Sequence, residues 1–488
     1  MSATETTVEL GAFIAGSAEP LSDPVQEIRD PATQRVVGRV TTSAAEDIDR
    51  AVRAAHDAFA GWSARGVAER GEMVGRAAHA IRAAVDELAP LLTAEQGKPL
   101  REAQIELNKA AETLEHYAGL AKELRGAFVF GLDPGVSGQV LRRPLGVVGA
   151  IVPWNFPTTL LANKLGPALV AGNTVVAKPA DTTPLTTLRL AAIMHDAGLP
   201  AGVFNVTAGR GADAGEALVT HPLVRKVGFT GSTPTGRRIM ALAAADNKRL
   251  TLELGGSDPM IVLEDADLDR AASAASMGRF FNCGQACLAV KRLYLAESVA
   301  DELIEAVVQK ARRLTVGRGA EPGVQLGPLH SERQRDALED QLRRTLERGG
   351  EVLTGGGRPD NSELSDGWFH EPTIVLEPPQ DSPMASEEVF GPALPIWRVR
   401  DLDQAIDYAN ASPFGLGSSV WTSRLDAAAD AAERLDCGYT WINSATKVYD
   451  ELPFGGVKAS GFGKEHGSEA FDYYTDQKAV VVRTARRD

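Results

Sequence analysis

The sequence predicts an α/β fold organised around a mainly parallel β-sheet. From residue 146 onward, short runs rich in β-branched residues alternate with helical stretches, which is the pattern of parallel strands joined by right-handed crossovers. A chain of 488 residues also exceeds what one hydrophobic core usually holds, so we expect two large domains. The first domain has the pattern of a Rossmann-like, nucleotide-binding sheet. Its predicted strands are residues 147–152, 174–178, 203–207, 226–230 and 250–254.

Helices precede this sheet, and a separate pair of elements lies outside it. Ser43 and Glu46 form a capping-box pattern ahead of an apolar stripe at helical spacing, which predicts that a helix begins there. Residues 128–141 alternate loosely between glycine and proline breaks, which suggests a projecting hairpin. The Val-rich residues 478–484 form a strand without a local partner, and we expect it to pair with that hairpin or with another subunit.

Composition and charge exclude several classes of partner. The formal net charge of −14 and the pI near 5.2 oppose binding to nucleic-acid phosphates or anionic lipid, which need a basic patch. No run reaches membrane-spanning length, and the polar N-terminus lacks the apolar core of a signal peptide. The three cysteines fit a reducing compartment, and neither they nor the eight histidines show metal-ligand spacing. We therefore predict a cytoplasmic protein without a metal, a nucleic-acid partner or a membrane.

The stretch of residues 280–292 contains the strongest candidate nucleophile, Cys287. A thiol is partly ionised near neutral pH, and a neighbouring cation, base or backbone N–H raises the thiolate fraction. Gly284 would let the backbone approach closely in the same stretch. The alternative is that Cys287 is an inert buried thiol, which is the commoner role of a free cysteine.

Two glycine patterns compete for a phosphate-binding role. Residues 209–215 resemble a dinucleotide fingerprint with one residue too many before the third glycine. Residues 231–236 follow the strand that ends at Thr230 and open a helix, so their backbone N–H groups would face an anion. We favour the second pattern, and the alternative is that either cluster is a structural turn.

Six motifs are spread along nearly the whole chain, at residues 153–157, 163–181, 253–256, 280–287, 387–392 and 453–461. Together they resemble the aldehyde dehydrogenase superfamily, in its hydrolytic, non-acylating type. The resemblance implies a Rossmann-like cofactor domain at residues 1–125 and 145–254 and an α/β catalytic domain at 255–466. It also implies a small β oligomerisation arm at residues 126–144 and 467–488, and hence a homodimer or homotetramer.

The resemblance further implies that an aldehyde is oxidised to a carboxylic acid through a thiohemiacetal and a thioester on Cys287. The amide of Asn155 and the backbone N–H of Cys287 would hold the oxyanion that forms when the thiolate attacks. Glu253 would then activate the water that hydrolyses the thioester. Lys164 matches a family lysine near the active site, and the alternative for it is a solvated surface charge.

The residues that would hold the cofactor also follow from the resemblance. Lys178 should bind the adenosine ribose, Ser232 the pyrophosphate and Glu388 the nicotinamide ribose, with Phe390 beside the nicotinamide ring. Asp181 matches a family glutamate that repels a 2′-phosphate, so we predict NAD as the cofactor, with NADP as the alternative. Further contacts are expected from Pro153, Trp154, Gly231, Gly236 and Leu254.

Other functions are compatible with parts of this pattern. A coenzyme A-acylating dehydrogenase would have no use for a hydrolytic base, so Glu253 argues against it. A non-enzymatic binding or structural protein on the same fold would not need Cys287, Glu253 and Asn155 together. A cofactor-free cysteine hydrolase would leave the nucleotide-binding segments without a role.

The sequence leaves two questions open, the identity of the substrate and the role of Cys283. Candidate substrates are small aliphatic aldehydes, aromatic aldehydes and semialdehydes such as succinate semialdehyde. Enzymes acting on succinate semialdehyde tend to carry an arginine where this chain has Asn163, and Lys447 is the candidate carboxylate anchor in its place. Cys283 would form a reversible redox pair with Cys287 if a helical turn joined them, and the alternative is that it only packs.

Overall fold

The computed structural model describes residues 7–484, and the part before residue 145 contains short strands, four long helices and a hairpin. In chain order the elements are β1 (Val8–Leu10), β2 (Phe13–Ile14), β3 (Ser17–Ala18), β4 (Val25–Arg29), β5 (Val36–Thr41), α1 (Ala45–Ser63), α2 (Val67–Ala83), α3 (Val85–Gln96), α4 (Leu100–Gly119), β6 (Ala127–Asp133) and β7 (Val136–Pro144). The apolar faces of the four helices belong to two hydrophobic clusters that also contain residues of the first large sheet.

That sheet contains the five predicted strands, which are all confirmed. The elements are β8 (Val147–Ile151), α5 (Pro157–Ala171), β9 (Thr174–Lys178), α6 (Leu185–Asp196), β10 (Phe204–Val206), α7 (Glu216–Thr220), β11 (Val224–Thr230), α8 (Thr233–Ala243) and β12 (Arg249–Glu253). The strand order β12-β11-β8-β9-β10 is parallel throughout. The chain therefore reverses its direction of winding between β8 and β11, and the carboxyl ends of strands at such a point form a ligand-binding crevice.

A second α/β unit follows. Its elements are β13 (Asp258–Val262), α9 (Leu268–Phe280), β14 (Val290–Ala296), α10 (Glu297–Arg312), α11 (Glu332–Leu346), β15 (Glu351–Thr354), β16 (Thr373–Leu376), α12 (Pro383–Ser386), β17 (Ala393–Val399), α13 (Leu402–Asn410), β18 (Phe414–Gly415), β19 (Gly417–Trp421), α14 (Leu425–Arg434), β20 (Tyr439–Ile442), β21 (Val457–Lys458), β22 (Gly461–Phe462), α15 (Ala470–Tyr474) and β23 (Thr475–Arg483). The sheet order is β15-β16-β17-β14-β13-β19-β20, with only β15 antiparallel to its neighbour.

The two units share one strand. β22 leaves the second unit and pairs antiparallel with β12, so that Leu252 lies opposite Phe462 and Glu253 opposite Gly461. The backbone N–H of Leu254 also donates to the carbonyl of Ser460 at 3.0 Å. The end of β12 is therefore enclosed by residues from the second unit.

The predicted arm is a three-stranded antiparallel sheet. β23 pairs with β7 over its whole length, from Thr475 opposite Pro144 to Arg483 opposite Val136, and β6 lies on the other side of β7. The C-terminal strand therefore pairs with the hairpin, which was one of its two predicted partners. β6 leaves apolar side chains exposed, and Phe130 keeps 82% of its surface accessible.

The predicted cap of α1 is wrong by one residue. α1 begins at Ala45, and the backbone N–H of Ala44 donates to the carboxylate of Asp47 at 2.8 Å. Ser43 is buried, and its backbone N–H donates to the carbonyl of Ala208 at 2.6 Å. The contact with Ala208 thus holds Ser43, which does not cap the helix. Asp47 supplies the reciprocal half of a capping box, since it accepts from the backbone of the N-cap residue Ala44.

Candidate active site

Three of the predicted catalytic residues lie where the two sheets meet. Glu253 is the last residue of β12, Asn155 follows β8, and Cys287 lies in the loop between α9 and β14. The site therefore combines the carboxyl ends of strands in the first sheet with the amino end of a strand in the second. This is the crevice at which the strand order of the first sheet predicts a ligand.

The loop before Cys287 has an unusual backbone. Asn282, Cys283 and Gly284 have φ angles of 50°, 55° and 70°, which are left-handed conformations that favour glycine. A Cβ on Gly284 would lie 2.2 Å from the carbonyl oxygen of Gly391, so this close approach requires a glycine. The helical turn that a redox pair of Cys283 and Cys287 would require is therefore not formed. Cys283 is buried in the core of the second unit, which favours its packing role.

A buried arginine holds this loop. The guanidinium of Arg279 donates to the carbonyls of Gly284 at 2.5 Å, Val290 at 3.3 Å and Val389 at 3.4 Å. The side chain is fully buried, and burial lowers its pKa to about 10. Arg279 thus joins the cysteine loop, β14 and the segment of Glu388.

The amide of Asn155 is fixed against the same loop. Its Nδ2 donates to the carbonyl of Gln285 at 2.9 Å, and its backbone carbonyl accepts from Asn282 Nδ2 at 2.9 Å and from Lys98 Nζ at 2.7 Å. A primary amide has two N–H donors, so one is left for a ligand. No residue among those described accepts from the backbone N–H of Cys287. These are the two donors that an oxyanion site requires.

Several buried charges that support the site were missed at the sequence level. Lys98 forms a wholly buried ion pair with Glu106, whose other oxygen accepts from the backbone N–H of Thr158 at 2.9 Å. Glu102, one helical turn earlier on α4, accepts from the backbone N–H of Asn282 at 2.8 Å. One signal in the sequence could have indicated them. Glu102 and Glu106 are four residues apart, and so lie on the same face of a helix whose other residues on that face are apolar.

The Cys287 thiol is half-buried and protonated at neutral pH. Desolvation raises its pKa to about 12; the charge of Lys291 lowers it, and Asp258, Glu253 and Glu388 raise it. The thiolate fraction in this state is therefore far below the one expected for an exposed thiol. A base or a further positive charge is needed before Cys287 becomes a good nucleophile.

Glu253 is buried, and neither carboxyl oxygen has a hydrogen-bond partner in the part of the chain that the structure describes. Desolvation raises its pKa well above the usual range, as does the negative charge of Glu465, while Lys164 and Lys464 lower it. An orphaned buried carboxyl group is costly to maintain and is typical of a functional group that awaits a partner.

Lys164 is not a surface charge. Its side chain is fully buried, and Nζ donates to Thr230 Oγ1 at 2.6 Å and to Glu465 Oε1 at 2.7 Å. The other oxygen of Glu465 accepts from Asn163 Nδ2 at 3.2 Å. Lys164 and Glu465 are therefore an ion pair whose two charges act in opposite directions on Glu253.

The predicted residues for the adenosine end lie at the carboxyl ends of β9 and β11. Lys178 is buried, and its Nζ donates to the carbonyls of Pro179 at 2.9 Å and Gly209 at 2.8 Å. Burial lowers the pKa of Lys178 to about 8, and the charge of Asp181 raises it. Ser232 accepts from the backbone N–H of Thr235 at 3.4 Å and caps α8.

The glycines at the start of α8 are also required by packing. A Cβ on Gly231 would lie 2.5 Å from the ring of Phe229, and one on Gly236 would lie 2.4 Å from Leu254. Gly209, from the competing pattern, contacts Lys178 through its carbonyl. Both glycine segments therefore border the predicted cofactor cleft, and packing explains at least part of the second pattern.

Aromatic side chains connect the predicted nicotinamide end to the rest of the site. The ring of Trp154, next to Pro153, stacks on His330 with centroids 4.5 Å apart and meets Phe390 edge-on at 5.6 Å. Burial lowers the pKa of His330 to about 4, so this ring is neutral. Glu388 accepts at Oε1 from Lys291 and from the backbone N–H of Gly256.

Lys447 lies beside Trp441, whose Nε1 donates to the Lys447 carbonyl at 2.7 Å. Its Nζ is 4.7 Å from the ring centre of Tyr449, and both residues are exposed. Cys287 itself packs against an apolar cluster of Leu416, Trp441 and Phe454.

Within residues 7–484 no helix has the length and hydropathy to cross a membrane, and no three His, Cys, Asp or Glu side chains are grouped to hold a metal ion.

The site and the fold agree with known proteins. The family model "Aldehyde dehydrogenase family" matches residues 19–480. Betaine aldehyde dehydrogenase of Bacillus subtilis (strain 168) is 37% identical over 97% of each chain. Phenylacetaldehyde dehydrogenase of Pseudomonas fluorescens is 40% identical over 94% of this chain and 93% of its own, and glutarate-semialdehyde dehydrogenase of Pseudomonas aeruginosa is 38% identical over 93% and 94%.

Solved structures are similar over almost their full length. PnpE in complex with nicotinamide adenine dinucleotide has a TM-score of 0.96 and 39% identity, with 99% of both chains covered. An Escherichia coli structure described as an NADP-dependent enzyme has a TM-score of 0.95 and 36% identity, with 98% of both chains covered. The chain belongs to the aldehyde dehydrogenase family. The predicted family, fold class and enzyme class are therefore confirmed.

The raised pKa of Cys287 predicts a slow, strongly pH-dependent alkylation in the absence of cofactor. Because only the thiolate reacts, the rate with iodoacetamide should rise about tenfold per pH unit from pH 7 to pH 10. Mass spectrometry of the peptide containing Cys287 measures the rate, and Cys287→Ser corrects for labelling elsewhere. A rate that levels off near pH 8 would show that the thiol ionises far more readily than its burial implies.

Proposed function

We propose that the protein oxidises an aldehyde to a carboxylic acid with NAD as the hydride acceptor, by way of a covalent intermediate on Cys287. The observation that carries this proposal is the convergence of three groups at the junction of the sheets. They are the Cys287 thiol, the Asn155 amide with an uncommitted N–H, and the Glu253 carboxyl with no partner. A nucleophile, an oxyanion donor and a base are the parts that acyl transfer to water requires.

The first step forms a bond between sulfur and the aldehyde carbon. The thiol proton passes to solvent water, the thiolate sulfur attacks the carbonyl carbon, and the carbonyl electron pair moves onto oxygen. Asn155 Nδ2 and the backbone N–H of Cys287 then donate to this oxyanion. Loss of such a preorganised donor typically reduces the rate by roughly 10²–10³.

The residues around the cofactor cleft fit a dinucleotide. Lys178 uses two of its three Nζ donors on carbonyls and has one left for a ribose hydroxyl. Glu388 Oε2 has no donor among residues 7–484, and the start of α8 offers backbone N–H groups to a phosphate. Bound NAD supplies the acceptor for the hydride that leaves the thiohemiacetal carbon. Trp154 and Phe390 would shield this transfer from water.

Hydrolysis of the resulting thioester requires a base. Glu253 takes a proton from water, the hydroxide adds to the thioester carbon, and the bond to sulfur breaks to release the acid and the thiolate. The raised pKa makes Glu253 a stronger base than a solvated glutamate. Lys164 and Glu465 would adjust how readily it gives up its proton, because their charges act on it in opposite directions.

A neutral aldehyde with an apolar or aromatic group is the substrate class we propose. Cys287 and Leu288 pack against Leu416, Trp441 and Phe454, and Phe156 stacks on Phe281 with centroids 6.1 Å apart. Asn163 is buried and committed to Glu465. A semialdehyde is the second candidate, for which the exposed Lys447 would offer a cation. The glutarate-semialdehyde and phenylacetaldehyde enzymes are both relatives, so identity alone does not decide between the two.

The arm would serve as the subunit contact. β6 exposes Phe128, Val129, Phe130 and Leu132, and a row of exposed apolar residues on an edge strand is usually covered by another chain. We propose that this surface joins subunits into a dimer or a tetramer.

An aldehyde panel tests the proposed reaction and its substrate. We expect NAD reduction with phenylacetaldehyde at a kcat/KM at least about tenfold above that with succinate semialdehyde, since burying a charged carboxylate beside an apolar cluster is costly. Added coenzyme A should not raise the rate.

Two variants serve as controls for the panel. Cys287→Ala should abolish oxidation, and Lys447→Met should leave both aldehydes unchanged. A selective loss with the semialdehyde in Lys447→Met would establish the carboxylate anchor. Activity of Cys287→Ala within tenfold of the wild type would refute the nucleophile.

Glu253→Gln should separate the two halves of the reaction. Acylation of Cys287 can proceed, so one equivalent of NADH should appear in a burst, while steady turnover should fall about 10²–10⁴-fold because water is no longer activated. Stopped-flow absorbance measures both phases. A folded variant with no burst would mean that Glu253 acts before hydride transfer.

Asp181 should set the preference for NAD. Its side chain forms no ion pair or hydrogen bond among the described residues, and its charge is close enough to raise the pKa of Lys178. A 2′-phosphate near it would be repelled, so kcat/KM with NAD should exceed that with NADP. In Asp181→Ser, the ratio of kcat/KM with NAD to kcat/KM with NADP should fall about tenfold or more. Equal efficiency with both cofactors in the wild type would contradict this role.

A further inference from the structure

Lys291 is a buried lysine beside the site for which the proposed reaction has no role. It lies on β14, four residues after Cys287, and its side chain is 0% exposed. Its Nζ donates to the carbonyl of Gly256 at 2.8 Å and to Oε1 of Glu388, and lies 5.3 Å from the ring centre of Phe390. An ammonium group so deeply buried must be paired, and its main partner is a predicted cofactor ligand.

Glu388 is held through only one of its carboxylate oxygens. Oε1 accepts from Lys291 and, at 3.1 Å, from the backbone N–H of Gly256. Oε2 has no donor among residues 7–484, although it packs closely enough that a Cβ on Gly255 would come within 2.5 Å of it. The side chain keeps 23% of its surface exposed. One oxygen is therefore committed to the protein and the other is available to a ligand.

We propose that Lys291 is a positioning residue for the cofactor, which fixes Oε1 of Glu388 so that Oε2 is presented to the hydroxyl groups of the nicotinamide ribose. The inference rests on the proposed function of Glu388. The contact from Lys291 restricts the rotation of the Glu388 carboxyl group before the cofactor arrives, so less conformational freedom is lost on binding. This restriction strengthens the contact with the ribose.

A competing role for Lys291 acts on the thiol instead. Four charged groups act on Cys287, namely Lys291, Asp258, Glu253 and Glu388, and Lys291 is the cation among them. If this were its main role, loss of Lys291 would slow the alkylation of Cys287 and leave the affinity for NAD unchanged. A measurement of cofactor affinity therefore separates the two roles.

The test is a double-mutant cycle on NAD binding with Lys291→Met and Glu388→Gln. Calorimetry gives the dissociation constant of NAD for the wild type, each single variant and the double variant. We expect each single variant to bind about tenfold more weakly, which is the usual effect of losing a charge-assisted hydrogen bond. The double variant should bind no more weakly than Glu388→Gln, because Lys291 acts through Glu388. Unchanged affinity in Lys291→Met, or independent losses in the double variant, would overturn the inference.

Lys248→Met is the matched control. This lysine is also buried, with 1% exposure, and its Nζ donates to the carbonyls of His221 at 2.6 Å and Val224 at 2.8 Å, at the amino ends of β11 and β12. Its loss should lower the melting temperature without changing the affinity for NAD. An affinity loss equal to that of Lys291→Met would assign both effects to general destabilisation and overturn the inference.

A second pair of measurements covers misfolding and the proposed function itself. If Lys291→Met does not fold, Lys291→Ala is assayed with ethylammonium, which should restore NAD affinity while sodium at equal ionic strength does not. Absence of rescue in the folded variant counts against the inference. A wild type that neither binds NAD nor oxidises any aldehyde overturns the proposed function and this inference with it. An active wild type with unchanged Lys291→Met overturns the inference alone.

Discussion

The buried guanidinium of Arg279 is the contact on which the geometry of the site depends. It donates to carbonyls from the cysteine loop, from β14 and from the segment of Glu388, and the carbonyl in the last of these, Val389, is 110 residues from Arg279 along the chain. Three consecutive left-handed residues are costly, and they persist only where the surroundings determine them. Arg279 and Glu102 supply part of these surroundings, through the carbonyl of Gly284 and the backbone N–H of Asn282.

Buried charges occur around the site in complementary pairs. Lys98 pairs with Glu106, Lys164 with Glu465, and Lys291 with Glu388. Burying each pair costs desolvation energy, which well-packed apolar residues would avoid. We therefore expect these pairs to serve orientation more than stability. Glu253 differs because neither oxygen of its carboxyl group has a partner among the described residues, which suits the proton-accepting role proposed for it.

The fold could be predicted from the sequence to a large extent, because buried parallel strands leave a strong local pattern. The strands that end at Lys178, Thr230 and Glu253 are rich in β-branched and apolar residues, which is the pattern of a buried parallel strand. Where local and tertiary interactions competed, the local pattern failed. Ser43 resembles a helix cap, but its backbone is bound to Ala208.

The site could be predicted only in part. Cys287, Glu253 and Asn155 lie in motifs that match those of the family, so the resemblance predicted that they would be close together. Glu465 and Arg279 could not be found in this way, because a charged residue resembles a solvated one until its distant partner is known. The backbone conformation at Cys283 could not be predicted from the sequence for a related reason. Its backbone is set by the approach of Gly284 to Gly391, a contact across more than 100 residues.

The pairing of β22 with β12 limits how the molecule can move. Because a strand of the second unit completes the first sheet, the units cannot swing apart as rigid bodies without breaking the ladder between Leu252 and Phe462. Breaking this backbone pairing is a local unfolding event, which is slow and rare compared with side-chain rotation. Substrate must therefore enter, and product must leave, through openings that are present while the two units remain paired. Turnover in such an enzyme depends on small adjustments of loops and side chains within a frame that stays intact.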